Sequence, residues 1–396
     1  MMNFPKGRDT EAWFKTAFEQ TPPPPYCSVD LRFSGYKLAP VDTNLFPAGF
    51  NNLHTDNIHH AIESAKSLAE SYVTHCKRIM IVPENHTRNI FYFESLAVLQ
   101  TIFLEAGFEV RIGSLLPEIY QPYSVSLPSG KKIILEPIIR EKDYIKCDNF
   151  IPCMILLNHD LSEGVPEILK NISQKVAPPL ELGWWSRKKS EHFQYYQEAA
   201  NDFASAFQLD PWFINAYFDV CQNVDFEMGA NQADLIQKVD SLLEKIKVKY
   251  QEYKISADPY VVIKADSGTY GMGILTVKNS DEIINMNHKE RAKMLSTKGN
   301  QKIHQVMIQE GVYTIDTVKK NQQSIIAEPV VYMLERHVIG GFYRIHPQRK
   351  EDENLNAPGM EFKPIDILTC EHFEKYQIIG RLALLAAARE LRGVHR

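Results

Sequence analysis

Apolar positions change their period several times between residues 57 and 112, and each change marks an element. A helix is predicted over 57–75, where Ile58, Ala61, Ile62, Ala65, Leu68 and Ala69 recur at the three-to-four spacing of one helical face. RIMIV (78–82) is an unbroken apolar run and reads as a buried strand, followed by a polar loop, PENHTRN (83–89). Residues 90–105 carry a second helical pattern that stops at Gly107, and FEVRI (108–112) is the next strand. Strand, helix, strand at this spacing predicts a parallel βαβ unit. Ligands of such sheets bind at the carboxyl ends of the strands, so Glu84, Asn85, His86 and Arg88 form one candidate edge of a site. KIILEPII (132–139) and FIPCMILLNHD (150–160) read as further strands, the second ending in Asn158, His159 and Asp160. Residues 184–250 are expected to be mainly helical, including an amphipathic stretch from Gln232 to Tyr250. Residues 1–53 show no sustained period, and Pro22 to Pro25 excludes a helix there. The stretch 28–53 is therefore expected to be a long irregular loop, and its mix of charges and aromatics gives it a functional reading.

DPYVVIKADSGTYGMGILTV (258–277) is the segment that carries chemistry. YVVIK is a β-branched strand, ILTV is a second strand, and between them stand Gly268, Gly271 and Gly273. A phosphate loop of the Walker type requires Lys and Ser or Thr where Ile274 and Leu275 stand, and a dinucleotide fingerprint must open a helix rather than a strand. What remains is a glycine hairpin whose N–H groups can close over phosphates, with Lys264 supplying a point charge. This segment resembles the glycine-rich hairpin of ATP-grasp enzymes. VMIQEGV (306–312) resembles their hinge, where backbone reads adenine and a carboxylate holds a ribose hydroxyl. Two strands, 326–333 and 337–345, then precede a polar loop with Arg349, Glu353, Asn354 and Asn356, the stage at which such enzymes place magnesium ligands.

Taken together, SGYKLAPVDTNLFPAGFNNL, PENHTRN, GWWSRKKSEHF, IKADSGTYGMGI and GGFYRIHPQRKEDENLNAPG resemble the ATP-grasp-type glutamate–cysteine ligases of proteobacteria over roughly residues 26–391. The resemblance implies an α/β (α+β) fold, an ATP-grasp fold preceded by an N-terminal Rossmann-like pre-ATP-grasp domain. It implies ATP and Mg2+ as cofactors, L-glutamate and L-cysteine as substrates, and γ-glutamylcysteine formed through a γ-glutamyl phosphate, the first step of glutathione synthesis. The nucleotide would meet Lys264, Ser267, Gly268, Thr269, Tyr270, Gly271 and Gly273 of the hairpin and Gln309, Glu310 and Val312 of the hinge. An upstream lysine is expected as well, Lys188 or Lys189, with Lys238 behind them. Arg344 would stabilise the acyl phosphate beside Lys264, and Glu328, Glu353, Asn354 and Asn356 would hold magnesium. Arg32, Lys37, Asp42, Asn44 and Arg88 would pair with the glutamate α-carboxylate and α-ammonium. The expected division is 1–180 for the substrate-side domain, 181–257 for a helical connection and 258–396 for the ATP-grasp domain.

Composition adds exclusions. Hydrophobic residues make up 44% of the 396 and charged residues 23%, an ordinary globular balance. A net charge of −5 disfavours non-specific nucleic-acid binding. No apolar run reaches membrane-spanning length, and MMNFPKGRDTEAWF lacks a signal-peptide core, so a cytoplasmic protein is expected. Six cysteines are too sparse for a disulfide scaffold and read as reduced thiols; Cys147 and Cys153 lack a zinc-type partner pair. A homo-oligomer is compatible with all of this. The alternatives are another ATP-grasp carboxylate–amine ligase, which the hairpin cannot distinguish because it reads ATP, and a non-catalytic nucleotide-binding protein.

Overall fold

A computed structural model describes residues 4–394 apart from 6, 86–88, 227–230, 268–272 and 296–302. The βαβ expectation holds. The strands Arg78–Pro83 and Glu109–Ser114 pair in parallel around the helix Ile90–Glu105. They sit in a six-stranded sheet with Met154–Asn158 and Lys175–Ala177 on one side, Lys132–Pro137 and the antiparallel Tyr123–Ser126 on the other. The chain thus turns to opposite sides of the strand Arg78–Pro83, which opens a crevice at the carboxyl ends of Arg78–Pro83 and Met154–Asn158.

Beside a two-stranded ribbon, Ile139–Glu141 with Tyr144–Lys146, two antiparallel sheets form the rest of the described strands. The small one orders Phe218–Gln222, Gln305–Glu310, Val261–Ala265 and Ile274–Val277. Its strand Phe218–Gln222 interrupts the region expected to be mainly helical. Val261, Ile263, Val277, Val306 and Ile308 face the helix Gln232–Glu252, which buries Leu235, Val239, Leu242 and Ile246 against them. The large sheet orders Glu361–Pro364, His337–Ile345, Gln323–Leu334, Tyr26–Phe33 and Leu38–Asn44, with Thr317–Lys320 also paired to Gln323–Leu334. One of its faces packs on the apolar helix Phe373–Val394, where Gly380 lets the helix approach: a Cβ there would lie 2.8 Å from Val331 Cγ2.

The first 53 residues depart from expectation. A helix, Arg8–Gln20, precedes the proline run, and the supposed loop contains two strands of the large sheet. Strand periodicity fails at Tyr26–Phe33 because nearly every position is buried on both faces, including Arg32 at 6% exposure. The charged positions point into an ion network that only the tertiary structure completes. Residues 26–44, expected within a first unit, therefore hydrogen-bond into a sheet made otherwise by residues 317–364.

Candidate active site

Strand alternation builds the cleft between the small and large sheets. On the small sheet, Val262 and Lys264 point the same way. Gln309 lies opposite Val262, and Ile274 opposite Lys264, so these four share the face turned from the helix Gln232–Glu252. On the large sheet Asp30 and Arg32 are two residues apart, Glu328 pairs with Arg344, and Asp30 pairs with Asp42. All of these, with Lys189, Tyr260, Asp352, Asn354 and Asn356, line a cleft of about 780 Å³ including its solvent-open part.

Two lysines meet in it. Lys264 donates to the Val41 carbonyl at 2.6 Å, and burial lowers its pKa to about 8, with Asp42 opposing. Lys189 Nζ lies 2.8 and 3.0 Å from the Asp42 carboxylate oxygens. Partial burial opposes ionisation of Asp42, yet Lys189 and Lys264 hold its pKa at about 2. Lys189 starts the helix Lys189–Ala206, and Asp266, just beyond Lys264, fixes that start: its carboxylate accepts from Ser190 N and Ser190 Oγ, each at 2.7 Å, and from Gln305 Nε2 at 2.6 Å. The first strand of the hairpin and the start of that helix are thus tied together at one wall of the cleft.

Opposite stand the arginines. Arg344 Nη1 donates to Asp30 at 2.7 Å and lies 3.4 Å from Glu328, while its buried Nε has no partner among the described residues. The Gln309 amide nitrogen, also buried in the cleft lining, is likewise without one. Orphaned buried donors are uncommon and mark places where a ligand can complete the bonding. Arg32, by contrast, spends its guanidinium inside the protein, on Glu328 and Tyr260 and on the carbonyls of Val312, Glu351 and Glu353. It ties the large sheet to the hinge. The oxygens of Asp30, Asp42, Glu328, Asp352, Asn354 and Asn356 line the same cleft and are the donor type magnesium takes, although Asp30, Asp42, Glu328 and Asp352 each already pair with a lysine or arginine.

Expected and observed positions compare as follows. Lys264, Lys189, Gln309, Val312, Glu328, Arg344, Asn354, Asn356, Arg32 and Asp42 come together in the cleft. Ser267 is exposed where the hairpin loop begins, and Gly273 closes the strand end, its carbonyl accepting from Ala265 N at 3.1 Å. Arg88, Gly268, Thr269, Tyr270 and Gly271 lie outside the described residues. Six expected residues are exposed or already engaged within the protein. Lys188 is exposed and pairs with Glu191, since its neighbour takes the inward position. Lys238, on another helix, donates to the Val220 carbonyl. Glu310 lines the cleft, but its carboxylate is fully buried on Trp212 Nε1 (3.0 Å), Tyr217 N (2.9 Å) and Lys37 Nζ (2.6 Å), so neither Glu310 nor Lys37 presents a side chain to a ribose or to glutamate. Asn44 shapes a turn by accepting from Phe46 N. Glu353 turns to Arg349 and to Lys350 N, away from the metal-type oxygens. At the hinge, Gly311 is required because Tyr260 fills the space beneath it: a Cβ would fall 2.1 Å from the ring.

Asp30, Val262, Thr276 and Asp352 line the cleft and were not anticipated. Alternation from Lys264 gives Val262, and Asp30 follows from Arg32 once that segment is a strand. Asp352, beside the rejected Glu353, pairs with Lys278 at 2.6 Å and so joins the hairpin's second strand to the acidic loop.

Behind the lysines lies a buried triad. Glu390, on the C-terminal helix, accepts from Arg187 at 2.7 and 3.2 Å and contacts His192 Nδ1 at 3.0 Å, and Arg187 also holds the Thr43 carbonyl at 2.8 Å, next to Asp42. Burial opposes ionisation of Glu390, but Arg187 and His192 bring its pKa down to about 2. Glu390→Gln should therefore cost about 3–5 kcal/mol of unfolding free energy by leaving the arginine uncompensated, measured by denaturant titration. The contribution of Glu390 is complete above the ordinary glutamate pKa and is lost as pH falls from there toward about 2. The variant should lose less stability than the parent across that window.

Nucleotide phosphates placed at Lys264 would raise its lowered pKa again. Binding of nucleotide near pH 8 should thus take up protons, and near pH 6 should not, read by calorimetry in buffers of different ionisation enthalpy.

The glutamate–cysteine ligase family model matches residues 4–391. A crystal structure of a Methylobacillus flagellatus KT protein assigned as gamma-glutamylcysteine synthetase is 44% identical, with a TM-score of 0.89 over 98% of this chain and 93% of that one. Two further structures are remote. D-alanyl-alanine synthetase A of Vibrio cholerae O1 biovar eltor is 11% identical at TM-score 0.36, covering 79% of this chain and 81% of its own. A glutathione synthetase-like effector of Globodera pallida is 10% identical at TM-score 0.37, covering 86% and 73%. No curated protein sequence matches the chain.

Proposed function

We propose, from the premise that the chain belongs to the glutamate–cysteine ligase family, that it joins L-glutamate to L-cysteine at the expense of ATP in the cleft described above. The γ-carboxylate of glutamate attacks the terminal phosphorus of ATP, ADP leaves, and a γ-glutamyl phosphate forms. The cysteine amine then attacks the acyl carbon, and inorganic phosphate leaves from it to give γ-glutamylcysteine. The observation that supports this reading is the convergence of Lys264, Lys189 and Arg344, with two orphaned buried donors, in one cleft floored by the strands of the glycine hairpin.

Each residue then has a task. Lys264 and Lys189 hold phosphate oxygens, and Asp42 keeps Lys189 aimed. The Gln309 amide supplies a donor in the wall formed with Val262, and Arg344 Nε faces the acyl phosphate. Glu328, Asn354 and Asn356 would hold magnesium, with Asp30 and Asp352 on the same cleft lining. Bound there, the metal would neutralise phosphate charge. Arg32 is assigned to positioning, since its donors are spent on the hinge and on Glu328. Among the described residues no helix is long and apolar enough to cross a membrane, and we assign the enzyme to the cytoplasm.

A substrate panel tests the reading. ADP release should require glutamate and cysteine together. Turnover with γ-glutamylcysteine plus glycine, or with another amino-acid pair, and none with the first pair would replace it with a different ligase of this type.

A further inference from the structure

At the amino ends of the parallel strands Arg78–Pro83 and Met154–Asn158, Cys76 and Cys153 bring their sulfurs to 3.1 Å. Cys76 follows the helix Ile58–Tyr72, and Cys153 immediately precedes the strand Met154–Asn158. Neither is bridged, Cys76 is buried and Cys153 half-buried. We propose that these two thiols form a thiol–disulfide exchange site for small-molecule disulfides, with Cys153 as the attacking sulfur and Cys76 as the resolving one.

The backbone supports this division of roles. Lys77 N and Arg78 N donate to Cys153 Sγ at 3.2 and 3.3 Å and favour negative charge on that sulfur, while the Arg78 carbonyl, 3.3 Å away, accepts from it when it is a thiol. Burial raises the Cys153 pKa, but hydrogen bonds from Arg78, Cys76 and Lys77 bring it below the ordinary thiol value. Burial, together with the neighbouring sulfur, pushes Cys76 up to about 12, so it waits as a thiol. Low thiolate pKa and partial access are what an attacking cysteine needs. Among the described residues no other cysteine contacts a second sulfur, and Cys27, Cys147 and Cys221 are buried.

The exchange balances in two displacements. The Cys153 thiolate attacks one sulfur of the small disulfide, forming a mixed disulfide and expelling one thiolate. Cys76 then gives up its proton and attacks the Cys153 sulfur, expelling the second thiolate and closing the Cys76–Cys153 bond. Two protein thiols are oxidised and the small disulfide is reduced to two thiols. The sulfurs need to approach by only about 1 Å to reach bonding distance.

The test uses the full chain treated with glutathione disulfide, quenched in acid, alkylated under denaturing conditions and mapped by mass spectrometry. The expected result is the loss of two alkylatable thiols out of six, with Cys76 and Cys153 recovered in one linked peptide pair. Cys76→Ser should retain the glutathionyl group on Cys153, and Cys153→Ser should leave Cys76 alkylatable. Six alkylated cysteines after treatment, or adduct on any cysteine but Cys153 in the Cys76→Ser chain, would overturn the proposal.

Discussion

Lys264→Met should lower ATP-dependent turnover about 100- to 1,000-fold, the range seen when one preorganised charge stabiliser is removed from a reacting centre. Lys264 stands on the hairpin's first strand at the cleft face, 2.6 Å from the Val41 carbonyl, and is electrostatically coupled to Asp42 and Lys189. Its ammonium is buried at a cost, visible in the pKa lowered by burial to about 8. A charge held against desolvation is worth keeping where a polyanion arrives to meet it. Methionine retains the stem and removes that cost, so the variant should fold with unchanged or slightly raised stability. Proton uptake on nucleotide binding near pH 8 should disappear with the lysine. Near-normal turnover would place the phosphates elsewhere.

Arg344→Lys should reduce kcat about 100-fold while leaving nucleotide affinity within a few-fold of the parent. The substitution keeps one positive charge opposite Glu328, so the pairing with Asp30 can persist in part. It removes the fork of donors, and in particular the Nε that has no partner among the described residues. An effect confined to kcat identifies an interaction made in the transition state, whereas equal loss in nucleotide binding would identify a site-shaping role. Burial raises Asp30 despite Arg344, so stability must be measured alongside.

Local periodicity was enough for the helix Ile58–Tyr72, which carries one apolar face, and a long apolar run with a glycine stop was enough for the helix Ile90–Glu105, as were short β-branched runs for the hairpin strands around the glycine loop. It failed at Tyr26–Phe33 and Leu38–Asn44, where both faces are covered and the polar residues belong to a site. Asp30 and Arg32 look like loop residues until Glu328 and Arg344, about 300 positions later, lie beside them. Residue type likewise did not tell a cleft carboxylate from a structural one. Glu310 has the hinge position, but Lys37 and Trp212 claim its carboxylate from elements far away in the chain. Glu353 and Asp352 are neighbours, and the backbone of a charged loop decides which one faces inward. Lys188 and Lys189 differ in the same way, and only the helix start held by Asp266 selects between them.

The account's central step is transfer of the terminal phosphoryl group of ATP to the γ-carboxylate of glutamate. Glutamate carrying 18O in that carboxylate tests it directly. With ATP, magnesium and cysteine present, the phosphate released should contain one 18O atom per molecule, read from the isotope-shifted 31P signal. Phosphate free of the label, with γ-glutamylcysteine still forming, would contradict an acyl phosphate and with it the roles given to Lys264 and Arg344.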